Sequence, residues 1–302
     1  MRLGGVLSKL QSLGIDLGRS CSYTANLSRD LKIVCFPKGS APLFLRIMDR
    51  NKGERDLRNL MVLKSRLGDC IVAPLEVFHL DDLTCGIFPY VAHRRITFKP
   101  PFRNSLVEQA RDVLLAMHEG CEGMNPNCET LSLSQVAQFL SGLGLLPGVL
   151  KDYFETRFQQ CVSELKQIPQ HGDFTLTNLG ISGRGKMMVF DWENVGLVNY
   201  PGFDLATFLL SFCFHAGSMH AITDGPEGLA KMVREDFGEV FLHRMGFCYE
   251  TFKEVFPGYV ALFLYLKSDF GLGIFERLCG VWKRLIQSQE WLVVVKRGER
   301  VA

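Results

Sequence analysis

Residues 171–178 read HGDFTLTN, from His171 to Asn178, and residues 189–193 read VFDWE, from Val189 to Glu193. Between them lie a short apolar run from Leu179 to Ser182, the turn Gly183-Arg184-Gly185, and a second apolar run from Met187 to Phe190. Two such runs around a glycine turn predict a strand–turn–strand hairpin. That hairpin aims Asp191, at the end of its second strand, back toward the loop carrying Asp173 and Asn178. Three oxygen-bearing side chains then converge from a short piece of chain.

Outward toward the N-terminus, the chain to about Ile96 reads as β-rich with one helix. Leu31–Phe36 (LKIVCF) and Leu43–Met48 (LFLRIM) are apolar strands joined by the hairpin-type connection Pro37-Lys38-Gly39-Ser40. From Glu54 to Leu67 the residues Leu57, Leu60, Met61, Leu63 and Leu67 recur at helical spacing, and Gly68-Asp69 stops the helix. Ile71–Phe78 and Thr84–Tyr90 are two further strand candidates around the turn Asp81-Asp82. The sequence thus predicts a compact sheet with one helix packed on it.

After the break Phe98-Lys99-Pro100-Pro101 the chain turns helical. Leu106–His118 sets Val107, Ala110, Val113, Leu114 and Met117 along one face. Further helices are expected near Ser134–Gly142, Gly148–Lys166, Phe203–Ala216, Glu227–Phe237, Phe252–Lys267 and Gly273–Trp291. The fold class is therefore α+β in two lobes: residues 1–96 as a small β-rich lobe and residues 97–302 as a larger helical lobe.

Bulk properties narrow the function. The 302 residues can bury a sizeable core, and 47% hydrophobic with 22% charged residues is ordinary for a folded chain. The net charge of +2 comes from 34 basic and 32 acidic residues spread along the sequence, which leaves no electrostatic footprint for nucleic acid. Ten cysteines at irregular spacings, without a CxxC pair, argue against structural zinc and for reduced thiols in a cytoplasmic protein. The first residues, MRLGGVLSKLQSLGIDLG, lack the unbroken apolar core of a secretory signal. The most apolar stretches, Phe203–Met219 and Tyr259–Phe275, carry Asp204 and His215 in one and Lys267, Asp269 and two glycines in the other. Buried helices explain both better than a bilayer span does.

The chemistry lies in the quoted segments. Taken singly, an Asp or Asn in a loop is a turn former or cap, and a lone buried His a satisfied core residue. Taken together they match what phosphoryl transfer requires. One carboxylate must orient the attacking hydroxyl and accept its proton, and oxygen ligands must hold magnesium on the phosphates. Asp173 would face the hydroxyl, and Asn178, five residues on, would turn to the metal together with Asp191.

The pattern HGDxxxxN, an apolar strand ending in DWE (Asp191–Glu193), and GFDLA (Gly202–Ala206) resembles the aminoglycoside phosphotransferase and choline kinase family. So does the helix ending in LLAMHEG with His118 near its end. The resemblance implies a protein-kinase-like fold and transfer of a γ-phosphate from ATP, or GTP, to a hydroxyl of an aminoglycoside-, amino-alcohol- or sugar-like small molecule. It also implies Asp173 as the base, Asn178 and Asp191 as Mg2+ ligands, His171 and Asp204 as supports of the loop, and the backbone around Phe88, Pro89, Tyr90 and Val91 as the adenine contact.

The nucleotide half of the pattern departs from such kinases. Where a strand lysine is expected, LFLRIM has Arg46, a longer cation that binds phosphate bidentately. The acid that should hold it aligns best near Asn59, with Glu54 and Asp56 as alternatives. The segment Gly18–Thr24 offers a small-residue turn over the phosphates but no GxGxxG. Arg46 motivates a second reading, a nucleotide-binding regulatory module without turnover. A third is a kinase acting on a protein or glycolipid through the apolar C-terminal helices.

Overall fold

The computed structural model describes residues 3–15, 21–25, 31–37, 41–91, 93–95, 103–125, 129–146, 148–268 and 272–296. The chain divides into two compact units, Met1–Arg94 with Gly180–Trp192, and Arg95–Leu179 with Glu193–Ala302.

The first unit is built on an antiparallel sheet. Its strands are β1 (Cys21–Ala25), β2 (Leu31–Cys35), β3 (Leu43–Asp49), β4 (Glu76–Leu80) and β5 (Leu83–Pro89), in the order β1-β2-β3-β5-β4. Alternation along the strands sends Leu31, Ile33 and Cys35 of β2, Leu45 and Ile47 of β3, and Cys85 and Ile87 of β5 to one buried face. There they pack with Val6 and Leu10 of α1 (Leu3–Ser12). The other face carries Lys32 directly across from Arg46, and Arg46 across from Gly86.

Helix α2 (Arg50–Leu67) follows β3, and it lies very close to the sheet. A Cβ on Gly53 would fall 2.6 Å from that of Thr84, so only glycine permits this approach. A second sheet, β6-β7-β8, joins β6 (His93–Arg95), β7 (Leu179–Ser182) and β8 (Met187–Val189). A parallel bridge from Ile71 to Val189 ties β8 to the turn after α2.

Some expectations change here. Helix α1 was not foreseen. The strand expected from Ile71 begins only at Glu76, because Pro74 lacks the N–H a ladder needs. Cys21–Thr24, read as part of a turn, belong to β1, whereas residues 18–20 lie outside the described residues, as do Lys38–Ser40 and Phe98–Pro101.

The second unit is mostly helical. In chain order it contains α3 (Arg103–Cys121), α4 (Leu133–Gly142), α5 (Gly148–Asp152), a π-turn over Tyr153–Phe158, and α6 (Gln159–Ser163). After the hairpin come α7 (Phe203–Ala216), α8 (His220–Thr223), α9 (Pro226–Met232), α10 (Glu239–Arg244), α11 (Tyr249–Leu266), α12 (Leu272–Gln287) and α13 (Gln289–Lys296). Helices α7 and α11 form its centre, where Phe203 meets Tyr259 edge-on at 5.8 Å. Among the described residues no helix is long and apolar enough to cross a membrane.

Helix α11 contains Pro257, which cannot donate to the helical ladder. The Tyr153 hydroxyl inserts at this point, donating to the Glu254 carbonyl (2.6 Å) and accepting from the Gly258 N–H (3.3 Å). A buried helix is thereby opened without leaving those groups unpaired. Its C-cap residue is Lys267.

Candidate active site

Helix α7 holds the loop 171–178 by three polar side chains in its buried, otherwise apolar stretch from Phe203 to Cys213. Asp204 accepts from the backbone N–H of His171 at Oδ2 (2.7 Å) and of Gly172 at Oδ1 (3.0 Å). Thr207 Oγ1 donates to the Phe174 carbonyl (3.4 Å), and Ser211 Oγ accepts from the Leu176 N–H (2.9 Å). Positions 204, 207 and 211 share one helix face, so the loop is laid along a single polar stripe. Burial pushes the Asp204 carboxyl up to about 7, against the pull of the two amides.

Gly172 has φ 84°, and an added Cβ would stand 2.9 Å from the Asn194 carbonyl oxygen. Backbone conformation and close approach both require glycine there. His171 is fully buried, and its Nδ1 accepts from the Asp173 N–H (3.2 Å), which leaves the ring proton on Nε2. The loop closes with a 3-10 turn over Leu176–Asn178, in which the Asn178 N–H donates to the Thr175 carbonyl (2.9 Å).

Asp173 is buried, and its two oxygens differ sharply. Oδ2 accepts from Asn178 Nδ2 (2.8 Å) and from Lys267 Nζ (2.5 Å). Oδ1 is buried without a hydrogen-bond partner. A buried carboxylate oxygen without a donor is costly, and a hydroxyl donor arriving there would relieve the cost.

Asn178 Nδ2 also donates to the Asp173 carbonyl (3.0 Å), so the amide nitrogen is committed to Asp173. The amide oxygen is the atom left to meet a cation. That suits magnesium, which takes a few protein oxygens and otherwise water and phosphate. Among the described residues no group of three or more His, Cys, Asp and Glu forms a richer metal cage.

Asp191 belongs to the first unit. It adopts φ 62°, an unusual backbone for a residue other than glycine, and its Oδ1 lies 3.5 Å from Lys32 Nζ. Its carboxylate thus already meets a cation. Arg46 is buried, and its guanidinium lies 3.7 Å from Asp56 Oδ2. Asp56 is the acid that faces Arg46. Glu54 pairs with Arg50 at 3.0 Å, and Asn59 is buried on α2. Burial raises the Asp56 carboxyl, with Arg46 and Arg55 pulling it down. Relative to a lysine–glutamate pair, a longer base meets a shorter acid, so the total reach is nearly conserved.

In the stretch expected at the adenine, Phe88 and Pro89 end β5, Tyr90 is exposed and Val91 half-buried. Pro89 has no N–H, and that of Tyr90 donates to the Pro42 carbonyl (3.0 Å).

Thr207, Ser211, Lys267 and Lys32 escaped the sequence reading. Two signals pointed to them: polar residues three and four apart in an apolar helix, and a lone lysine inside the apolar run from Tyr259 to Phe275.

Among solved structures, the chain is similar to an amicoumacin kinase in complex with AMP-PNP and Ca2+, with a TM-score of 0.58 at 12% identity over 94% of each chain. The fold is that of small-molecule kinases. A spectinomycin phosphotransferase in complex with ADP and spectinomycin matches at TM-score 0.56 and 12% identity over 98% of each chain. A choline/ethanolamine kinase family protein from Mesorhizobium loti matches at TM-score 0.55 and 16% identity, over 98% of this chain and 99% of that one. The kinase-like α+β architecture implied by HGDxxxxN and DWE is thus present across nearly the whole chain. No protein-family model matches the sequence, and no curated protein matches it.

Proposed function

We propose that this protein transfers the γ-phosphoryl group of ATP, or GTP, to a hydroxyl of a small molecule. The observation that carries this reading is the unpartnered, buried Oδ1 of Asp173 beside an Oδ2 held by Asn178 and Lys267. The acceptor hydroxyl donates to Oδ1 and is turned toward the γ-phosphorus. Its oxygen bonds to phosphorus as the bond to the β–γ bridging oxygen breaks; its proton passes to Asp173, and the nucleoside diphosphate leaves. Asn178 and Asp191 are assigned as the Mg2+ ligands from the motif, and a divalent cation held by them would supply charge neutralisation for phosphate. Arg46, with Pro89, Tyr90 and Val91, is assigned to the nucleotide. Asp204 and His171 are positioning residues that hold the loop. Nucleotide-bound neighbours of the same fold support the assignment of ATP.

The test is diphosphate release with ATP, Mg2+ and a panel of hydroxyl compounds, with nucleotide binding followed by calorimetry. Asp173→Asn is expected to cut turnover by about a thousandfold, in the range of a lost general base, with nucleotide affinity kept. Turnover indifferent to that change would sink the proposal.

The short Asp173–Lys267 pair favours a second reading, a nucleotide-binding module without turnover, since Lys267 already occupies one oxygen of the carboxylate. A Mg2+-dependent thermal shift with ATP, without product on any acceptor, would support it.

A further inference from the structure

We propose that the ligand taken beside Asp173 is a compact, largely apolar alcohol whose far end carries an anionic group, and not a polycation. As the acceptor, this ligand rests on the phosphotransfer reading above; as a binding preference, it stands by itself. The second unit contains a cavity of about 260 Å³ walled by α7, α11, α12 and the loop 175–177. Leu210, Phe214, Phe263 and Ile274 are among the aliphatic and aromatic residues that line it. Lys267 also lines it, and through its Nζ reaches Asp173 Oδ2 at 2.5 Å, so the cavity adjoins the reacting carboxylate.

Charge decides the ligand class. Among the described residues no Asp or Glu lines the cavity, whereas Lys267 and Arg277 both do. The two cations differ in what they face. Lys267 is paired with Asp173. Arg277 stacks over the Phe214 ring at 5.4 Å and makes no ion pair among the described residues. The remaining polar groups are largely spoken for: the Thr175 and Thr177 hydroxyls bond each other (2.8 Å), and Ser211 Oγ serves the Leu176 N–H (2.9 Å). An ammonium group entering this space would meet the two cations Lys267 and Arg277, whereas an acid would complete Arg277. Size agrees: 260 Å³ stands at the low end for ligand pockets, which fits a compact ligand.

Three probes of matched length separate the possibilities: 8-hydroxyoctanoate, octane-1,8-diol and 8-aminooctan-1-ol. Binding to the full chain is measured by calorimetry without nucleotide, and diphosphate release is measured separately with ATP and Mg2+. The hydroxy acid is expected to bind at least tenfold tighter than the amino alcohol, with the diol between. Arg277→Glu, an exposed site, is expected to invert the order, and Arg277→Gln to flatten it. Equal binding by all three probes, tighter binding of the amino alcohol, no binding, or an order unmoved by Arg277→Glu would each overturn the proposal. The expected order without diphosphate release would overturn the phosphotransfer reading and leave the ligand class standing.

Discussion

Among the described residues each unit holds one ion pair buried on both sides, and the two are built differently. In the second unit Lys267 meets Asp173 at 2.5 Å, and Asn178 donates to the same carboxylate oxygen. In the first unit Arg46 stands 3.7 Å from Asp56, whose Oδ2 has no hydrogen bond and whose carboxyl is raised by burial. Both acids keep one unpartnered oxygen. At Asp173 the partnered oxygen is gripped from two sides, so the free one is held in a fixed direction. At Asp56 a single half-exposed side chain, Arg55, holds the partnered oxygen (3.1 and 3.2 Å), and burial raises the acid so that it can take up a proton. One pair orients a carboxylate, and the other positions a cation on a sheet.

The largest effect is expected at the tighter pair. Lys267→Met leaves Asp173 buried and uncompensated, and urea unfolding is expected to register a loss of about 4 kcal/mol, typical of breaking a buried pair from one side. Asp173→Asn in the same chain should recover most of it. If the double variant is no better than Lys267→Met alone, the pair is not the source of the loss.

Arg46→Met is expected to cost less, about 2 kcal/mol, because Asp56 keeps Arg55 on Oδ1 and its raised carboxyl can protonate once Arg46 is gone. Removing Arg46 raises the folded-state pKa of Asp56 further above its unfolded value. The stability of the variant is therefore greatest in acid and falls as pH rises beyond the ordinary aspartate range. Thermal unfolding across pH that shows no steeper fall than wild type would refute this.

Asp204 sharpens the comparison from within α7. Asp204→Asn replaces an acceptor oxygen by a donor nitrogen, leaving one of the His171 and Gly172 amides unsatisfied at about 1–2 kcal/mol. The wild-type carboxyl is raised from 3.8 to about 7, so its protonation contribution is complete below the unfolded value and is lost as pH climbs through the folded one. The wild-type advantage over the variant should be widest near pH 4 and narrow toward pH 7, as followed by paired melting curves. Smallest of all is Lys32→Met. Its pair with Asp191 is about one-third exposed on both sides (31% and 33%), so solvent screens it, and chemical denaturation should move by less than about 1 kcal/mol.

Much of the fold was legible because hydrophobic periodicity is a local property. Phe203–Ala216 is a helix with the expected bounds, Leu179–Ser182 is a strand as read, and Gly68 caps α2. The candidate loop was legible for the same reason, since Asp173 and Asn178 lie five residues apart and close on each other within a single turn. Lys267 was not, because its partner is 94 positions away. Its oddity as a charge in an apolar run was visible and counted only against a membrane span. Asp56 stood among three candidates for Arg46, since spacing along α2 does not say which acid turns toward β3.

The sequence by itself determined the order of elements and the local grouping of Asp173 and Asn178 on one loop, because each follows from neighbours within a few residues. Tertiary structure alone decided which oxygen of Asp173 stays unpartnered, that Lys267 grips the other, and that Lys267 and Arg277 line the adjoining cavity. Those outcomes depend on which remote side chains meet when α7, α11 and α12 pack, and packing is a property of surfaces brought together over long stretches of chain.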